Sequence, residues 1–253
     1  MAYEILHNDG IVTFTITREE KRNAVNDDVM AGLQNVITYV REHPDARFLV
    51  VTGAGDKSFC SGGDLSVFHA LETEEQAYEM LSKMGKILYD LATLPIPTIA
   101  LVNGAAVGGG CEIATACDFR LVATHAKVGF VQGTLAITSG WGGGTYLMER
   151  GLRYDHAFKM LIEAKLFDAK KLVDIGWATE TFEGSKEEAL NKFVKEMRKI
   201  HPDVQKAYKQ IELRKWEQQN LFEQVMEEVR TCAKLWDCLL YTSPSPRDVE
   251  ESR

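Results

Sequence analysis

The feature that most narrows the fold is a short apolar run followed by a glycine-rich loop, and it occurs twice. Phe48–Thr52 (FLVVT) precedes Phe59–Leu65 (FCSGGDL), and Thr98–Val102 (TIALV) precedes Asn103–Glu112 (NGAAVGGGCE). A continuous apolar run of this kind suits a strand buried on both faces. A helical pattern follows each loop, so each unit reads as strand, glycine loop, helix. Backbone N–H groups at such a helix start lack an intrahelical partner and can point at a negatively charged oxygen. Glycine lets a ligand approach the backbone closely. A tight turn accounts for either loop alone; two loops side by side can aim two donors at one oxygen. Neither loop carries the GxxxxGK[ST] of a phosphate loop or the GxGxxG of a dinucleotide loop.

The first residues read directly as strand, and Ile11–Thr17 alternates β-branched side chains as a half-buried strand does. Asn26 is placed to cap a helix from Asp27 to about Glu42, with Asp27 and Asp28 favourable at its start. Ala77, Met80, Leu81, Met84, Ile87, Leu88 and Leu91 predict a helix from about Thr73 to Thr93, ended by Pro95 and Pro97. Phe119–Ala123 and Lys127–Phe130 read as short strands. After Gly140 the pattern is helical: Gly143–Glu149, Tyr154–Ala164, Asp168–Ile175, Ser185–Lys199, then amphipathic helices from Pro202 to Trp236 broken near Asn220. Ser185 and Glu188 form a capping box.

The chain has 253 residues, 45% hydrophobic and 26% charged, and a net charge of -8. That is an ordinary globular composition, and the acidic balance argues against a nucleic-acid partner. No apolar run approaches the roughly 20 residues of a membrane span, and no secretory leader is visible, so a cytoplasmic protein is expected. The cysteines form no CxxC pair. Cys60 and Cys111, beside the loops, read as space-fillers, because no histidine with a supporting carboxylate lies near either. The histidines lack ligand spacing, so no metal is expected. Asp118 reads as a structural tie between its strand and a helix end, and Lys209, Arg214 and Lys215 as a solvated face.

Lys21-Arg22-Asn23-Ala24, FCSGGDL and VNGAAVGGGCEIATACDFR, taken together, resemble the crotonase superfamily, the enoyl-CoA hydratase/isomerase family, with order and spacing kept from about residue 3 to about residue 236. The resemblance implies an α/β fold: a crotonase-like spiral of ββα units over residues 1–200, followed by a helical C-terminal region over 201–237 used for trimerisation. It implies an acyl-CoA substrate, no cofactor apart from the CoA of that substrate, and a homotrimer or dimer of trimers. It puts an oxyanion hole at the N–H groups of Gly63 and Gly109. Arg22, Ala24, Ser61, Asp64 and Leu65 would line the adenine and pantetheine path, with Gly62, Gly108 and Gly140 in the same binding set. Trp141 walls the acyl pocket or packs in the core, and Phe68 and Tyr146 border the acyl chain.

One position departs from the hydratase pattern. A hydratase of this family resembles a two-carboxylate machine; Glu112 matches the first glutamate, and the second position falls on Gln132. An amide cannot exchange a proton near neutral pH, and a missing acid–base group typically costs about 10²–10⁴ in rate. Three readings remain open. A hydratase or isomerase works with Glu112, and Gln132 orients water. A decarboxylase of a malonyl-type thioester needs no base, because loss of CO₂ itself makes the enolate; SGGDL, TACDFRL and SGWGGG are similar to the methylmalonyl/ethylmalonyl-CoA decarboxylase branch. The third is acyl-CoA or partner binding without catalysis.

The segment Cys238–Asp248 (CLLYTSPSPRD) breaks the helical pattern and matches a reading frame of a transposase adapter used in sequencing libraries. Residues 238–253 are therefore expected to be disordered and foreign to the natural chain.

Overall fold

A computed structural model describes residues 2–64 and 73–242, with side chains as far as Trp236. Leu65 and Phe68 lie outside the described residues, as do residues 243–253.

The strands are β1 (Tyr3–Asn8), β2 (Ile11–Ile16), β3 (Phe48–Gly53), β4 (Ser58–Cys60), β5 (Thr98–Val102), β6 (Ala105–Val107), β7 (Phe119–Ala123), β8 (Lys127–Gly129), β9 (Phe167–Asp168) and β10 (Glu180–Phe182). The larger sheet runs β1-β2-β3-β5-β7-β10, antiparallel between β1 and β2 and parallel thereafter. The smaller runs β4-β6-β8-β9, with β4, β6 and β8 parallel and β9 antiparallel. The chain thus passes from the larger sheet to the smaller in three successive pairs, β3–β4, β5–β6 and β7–β8. This is the spiral of ββ steps the resemblance implies.

The pairing changes the reading of the glycine loops. Each follows a second short strand, β4 or β6, and not the buried apolar run directly. Strands of three residues carry too little alternation to be read from the sequence; β9 and β10 were missed in the same way, in a region that reads as wholly helical. β4 and β6 pair in parallel, Ser58 with Ala105 and Cys60 with Ala106. That pairing carries the two glycine loops to the same end of the smaller sheet.

The helices are α1 (Asp27–Glu42), α2 (Glu74–Ala92), α3 (Gly109–Ala116), α4 (Gly143–Glu149), α5 (Tyr154–Ile162), α6 (Ala169–Asp174), α7 (Lys186–Val194), α8 (Pro202–Gln218) and α9 (Leu221–Thr242). Asn26 caps α1, its Oδ1 accepting from the Val29 amide at 3.1 Å. Ser185 caps α7 through the Glu188 amide at 3.2 Å. α7 ends earlier than the pattern predicts, and a tighter turn at Met197–Lys199 follows. Asn220, in the left-handed region, separates α8 from α9. α9 continues to Thr242, beyond the position where the sequence pattern breaks. Among the described residues no helix is long and apolar enough to cross a membrane.

The larger sheet is covered on both faces. Leu49 and Val51 of β3 join the main core with α1, α2 and α9, whereas Phe48 and Val50 join a second cluster with Leu190 and Val194 of α7. α9 lies close along α2: a Cβ on Gly85 would stand 3.0 Å from Val229 Cγ2 and 3.1 Å from Met226 Cε.

Asp118 is the tie expected of it. Its Oδ2 accepts from the Thr98 amide at 2.9 Å and its Oδ1 from Arg150 at 2.9 Å. Lys209 corrects its prediction: it donates to the same Oδ1 and its side chain is only 8% exposed. The Asp118 carboxylate draws the ammonium inward, since a buried charge is tolerated when paired. Arg150 also stacks over Trp216, 4.9 Å from the ring centroid. Arg214 and Lys215 remain exposed.

Candidate active site

The first glycine loop is held from one side by the segment before α1. Val25 donates to the Gly62 carbonyl at 2.8 Å, Asp64 donates to the Val25 carbonyl at 2.8 Å, and Ser61 donates to the Arg22 carbonyl at 3.1 Å. Arg18 clamps Asp64 with a 2.8 Å ion pair. The second loop meets it from the other side. A Cβ on Gly62, whose φ is +93°, would stand 3.2 Å from the Gly109 nitrogen, and a Cβ on Gly109 would stand 2.2 Å from the Trp141 ring. Gly109 has no space for a side chain, and at Gly62 one would be crowded as well as strained by the left-handed backbone. Among the described residues, the amides of Gly63 and Gly109 donate to no backbone or side-chain acceptor.

A cavity of about 240 Å³ opens on these loops, and its wall includes Gly62, Gly63, Gly108, Gly109, Glu112, Gln132, Gly140 and Trp141. An adjoining cleft of about 730 Å³ gathers Arg22, Ala24, Ser61 and Asp64, with Gly63 and Ser61 in both walls. Trp141 is 3% exposed and also lines the cavity. Tyr146 is buried and does not line this cavity. Leu81 of α2 and Cys232 and Trp236 of α9 close the small cavity. The sequence marks these two helices as amphipathic, but which residues reach the cavity depends on how the helices cross.

Glu112 lies in α3 and is 2% exposed. Its carboxylate accepts from Gln132 Nε2 at 2.8 Å and from the amides of Gly140, Trp141 and Gly143 at 3.3, 2.8 and 2.9 Å. Burial pushes its carboxyl up to about 8, and the nearby Glu228 carboxylate adds to this against the pull of the three backbone donors. Gln132 therefore does stand beside Glu112. Its Oε1 is buried with no partner among the described residues.

Glu228 is a member of this neighbourhood that sequence reasoning missed. It lies on α9 and accepts from the Ser139 hydroxyl at 2.6 Å, the Gly144 amide at 3.0 Å, and the Thr145 amide and hydroxyl at 2.7 and 2.6 Å. Burial raises its carboxyl as well. A signal was present: Glu228 falls three residues after Val225 and four before Cys232, so it shares their inward face. Cys60 and Cys111 are fully buried; burial pushes the Cys60 thiol up to about 12 and the Cys111 thiol well above its usual range, so neither supplies a thiolate.

The fold and these two loops define a class of protein that comparison makes plain. The sequence matches the family model described as enoyl-CoA hydratase/isomerase over residues 7–237, and the chain belongs to this family. It is 32% identical over 180 residues to the mitochondrial methylglutaconyl-CoA hydratase of Mus musculus, covering 71% of this chain but only 57% of that protein's length. It is 30% identical over 233 residues to the ethylmalonyl-CoA decarboxylase of Xenopus laevis, covering 90% of this chain and 77% of the relative. The crystal structure of an enoyl-CoA hydratase from Bacillus anthracis superposes with a TM-score of 0.80 at 25% identity, over 100% of this chain and 97% of that one. An enoyl-CoA hydratase from Bacillus halodurans superposes at 0.85 with 20% identity, over 96% and 100%.

Proposed function

We propose that the protein is an acyl-CoA lyase or isomerase that works through the enolate of a CoA thioester, held by the N–H groups of Gly63 and Gly109. The observation that carries this is the meeting of two amides without internal partners at a cavity that also holds a buried glutamate. A thioester oxygen gains charge as its α-carbon becomes an enolate. Rigid donors stabilise that charge more than the neutral carbonyl, by about 3 kcal/mol each. The CoA arm would run along Arg22, Ala24, Ser61 and Asp64 in the adjoining cleft. No further cofactor is needed.

Hydration or isomerisation leaves Glu112 as the titratable group at the cavity, with Gln132 orienting water. A specific observation favours decarboxylation as the second reading. Glu112, with its carboxyl pushed up to about 8, keeps its proton at neutral pH and so does not repel a substrate carboxylate. Once the carbon–carbon bond breaks and CO₂ leaves with the enolate holding the electron pair, that proton can pass to the α-carbon.

A substrate panel on the purified chain separates these. Hydration of crotonyl-CoA that drops about 10²–10⁴-fold in Glu112→Gln supports the first form. CO₂ release from ethylmalonyl- or methylmalonyl-CoA that keeps much of its rate in Glu112→Gln supports the second. Tight binding of CoA thioesters with neither reaction would sink the catalytic reading and leave a binding protein.

The same reading carries assembly as a homotrimer or dimer of trimers. Tyr154, Phe158 and Ile162 form an exposed apolar stripe on α5, and Val204, Tyr208 and Ile211 another on α8. Sedimentation of the full chain should report three or six copies; a monomer would contradict the assembly.

A further inference from the structure

The turn from Ser139 to Thr145 is strung between two carboxylates. Gly140, Trp141 and Gly143 donate to Glu112 of α3, while Ser139, Gly144 and Thr145 donate to Glu228 of α9. Consecutive amides, those of Gly143, Gly144 and Thr145, are thereby divided between them. The turn has little slack: Gly142 has φ +90°, and a Cβ on Gly144 would stand 2.9 Å from Ser139 Oγ and 3.3 Å from the Glu228 carboxylate. Neither carboxylate can shift without moving donors that hold the other.

We propose that Glu228 is a positioning residue for Glu112: it fixes the turn that supplies Glu112 with backbone donors, and its negative charge sets how readily Glu112 gives up a proton. The other titratable groups that face the pair are Cys111 of α3, Tyr146 of α4 and Cys232 of α9. Burial pushes Cys111 and Tyr146 well above their usual range and Cys232 up to about 12, so all three are neutral at physiological pH. Among the described residues no cation pairs with either carboxylate. The electrostatics of the site therefore reduce to two carboxyl groups on one turn, the charge on one opposing the ionisation of the other. The catalytic meaning rests on the role proposed for Glu112; the coupling itself does not.

The test is accordingly read in the ligand-free full chain, by carboxyl-¹³C NMR titration of glutamate-labelled protein, with Glu112→Gln and Glu228→Gln assigning the two resonances. Glu112 should titrate at about 8 in the wild type. In Glu228→Gln its midpoint should fall by about one pH unit, a roughly tenfold loss of proton affinity, and in Glu112→Gln the Glu228 resonance should lose the second step that follows ionisation of Glu112 in the wild type, because coupling is reciprocal. A merely structural Glu228 would lower the melting temperature and leave the Glu112 midpoint where it was, which would overturn the proposal. If Glu228→Gln does not fold, the Glu112→Gln arm decides alone. If neither folds, the wild-type curves decide: coupled groups give broadened, two-step titrations, and independent single-step curves would refute the coupling. Loss of the acyl-CoA reading would leave all of these titrations unchanged.

Discussion

Gly63→Pro is expected to lower kcat by about 10²–10³ on whichever CoA thioester the protein turns over, with the fold retained. Proline deletes one backbone donor and adds nothing polar. The loss is confined to the site because the Gly63 amide has no internal acceptor, and the bonds that fasten the loop, Val25 to Gly62 and Asp64 to Val25, do not use it. Gly63 is not in the left-handed region, and the residue before it is glycine, which avoids most of the crowding that proline imposes on its predecessor. Because the donor acts mainly on the developing charge, KM should change much less than kcat. Steady-state kinetics on the purified variant decide the matter, and a drop in kcat smaller than about tenfold would remove Gly63 from the role.

The largest effect on stability is expected at a distance from the cavity. Asp118→Ala should destabilise the fold by about 3–5 kcal/mol, because it strands two buried cations, Arg150 and Lys209, together with the Thr98 amide. For a chain of this length that corresponds to a fall in Tm of about 10 °C. Burial alone would raise the Asp118 carboxyl, but Lys209 and Arg150 outweigh it and hold the group below its usual range. Burial and Arg150 pull the Lys209 ammonium down in turn, so desolvation limits what the cluster contributes. A depressed carboxylate stabilises the fold above its unfolded value and loses that contribution as pH falls through the folded one. The gap in Tm between wild type and variant should therefore narrow in acid. Removing one stranded cation as well, in Asp118→Ala with Lys209→Met, should restore part of the loss. Melting curves that coincide at neutral pH would show that the cluster does not hold the strand to the helices.

How much was legible beforehand follows the physics of each signal. Asn26 and Ser185 announce their helix starts because capping is local chemistry, written in adjacent residues. Phe48–Thr52 and Thr98–Val102 announce doubly buried strands because a continuous apolar run has few other uses. β4 and β6 carry no such mark, since three residues hold no period, yet their pairing is what brings Gly63 and Gly109 together. The resemblance anticipated that proximity; periodicity did not. Lys209 was misread because charge on an amphipathic helix usually faces water, and the carboxylate that recruits it lies far back along the chain. Glu228 escaped notice as one of two adjacent glutamates, although only it falls on the face of Val225 and Cys232. Its partners, Ser139, Gly144 and Thr145, are equally distant in sequence.

The parallel pairing of β4 with β6 has a consequence for the scale of the site. Gly63 and Gly109 each lie three residues beyond the paired positions Cys60 and Ala106, so the two loops leave neighbouring strands in matching register. Neighbouring strands stand about 4.8 Å apart, and two amides at that gauge, each reaching about 2.9 Å, would meet one oxygen at an angle of roughly 110°. The sheet thus acts as a ruler for the donors, written in backbone rather than in side chains. A gauge of that kind survives replacement of the side chains around it. Under the proposed function, residues such as Gln132 would then change which reaction is run on the oxygen while the means of gripping it stays fixed.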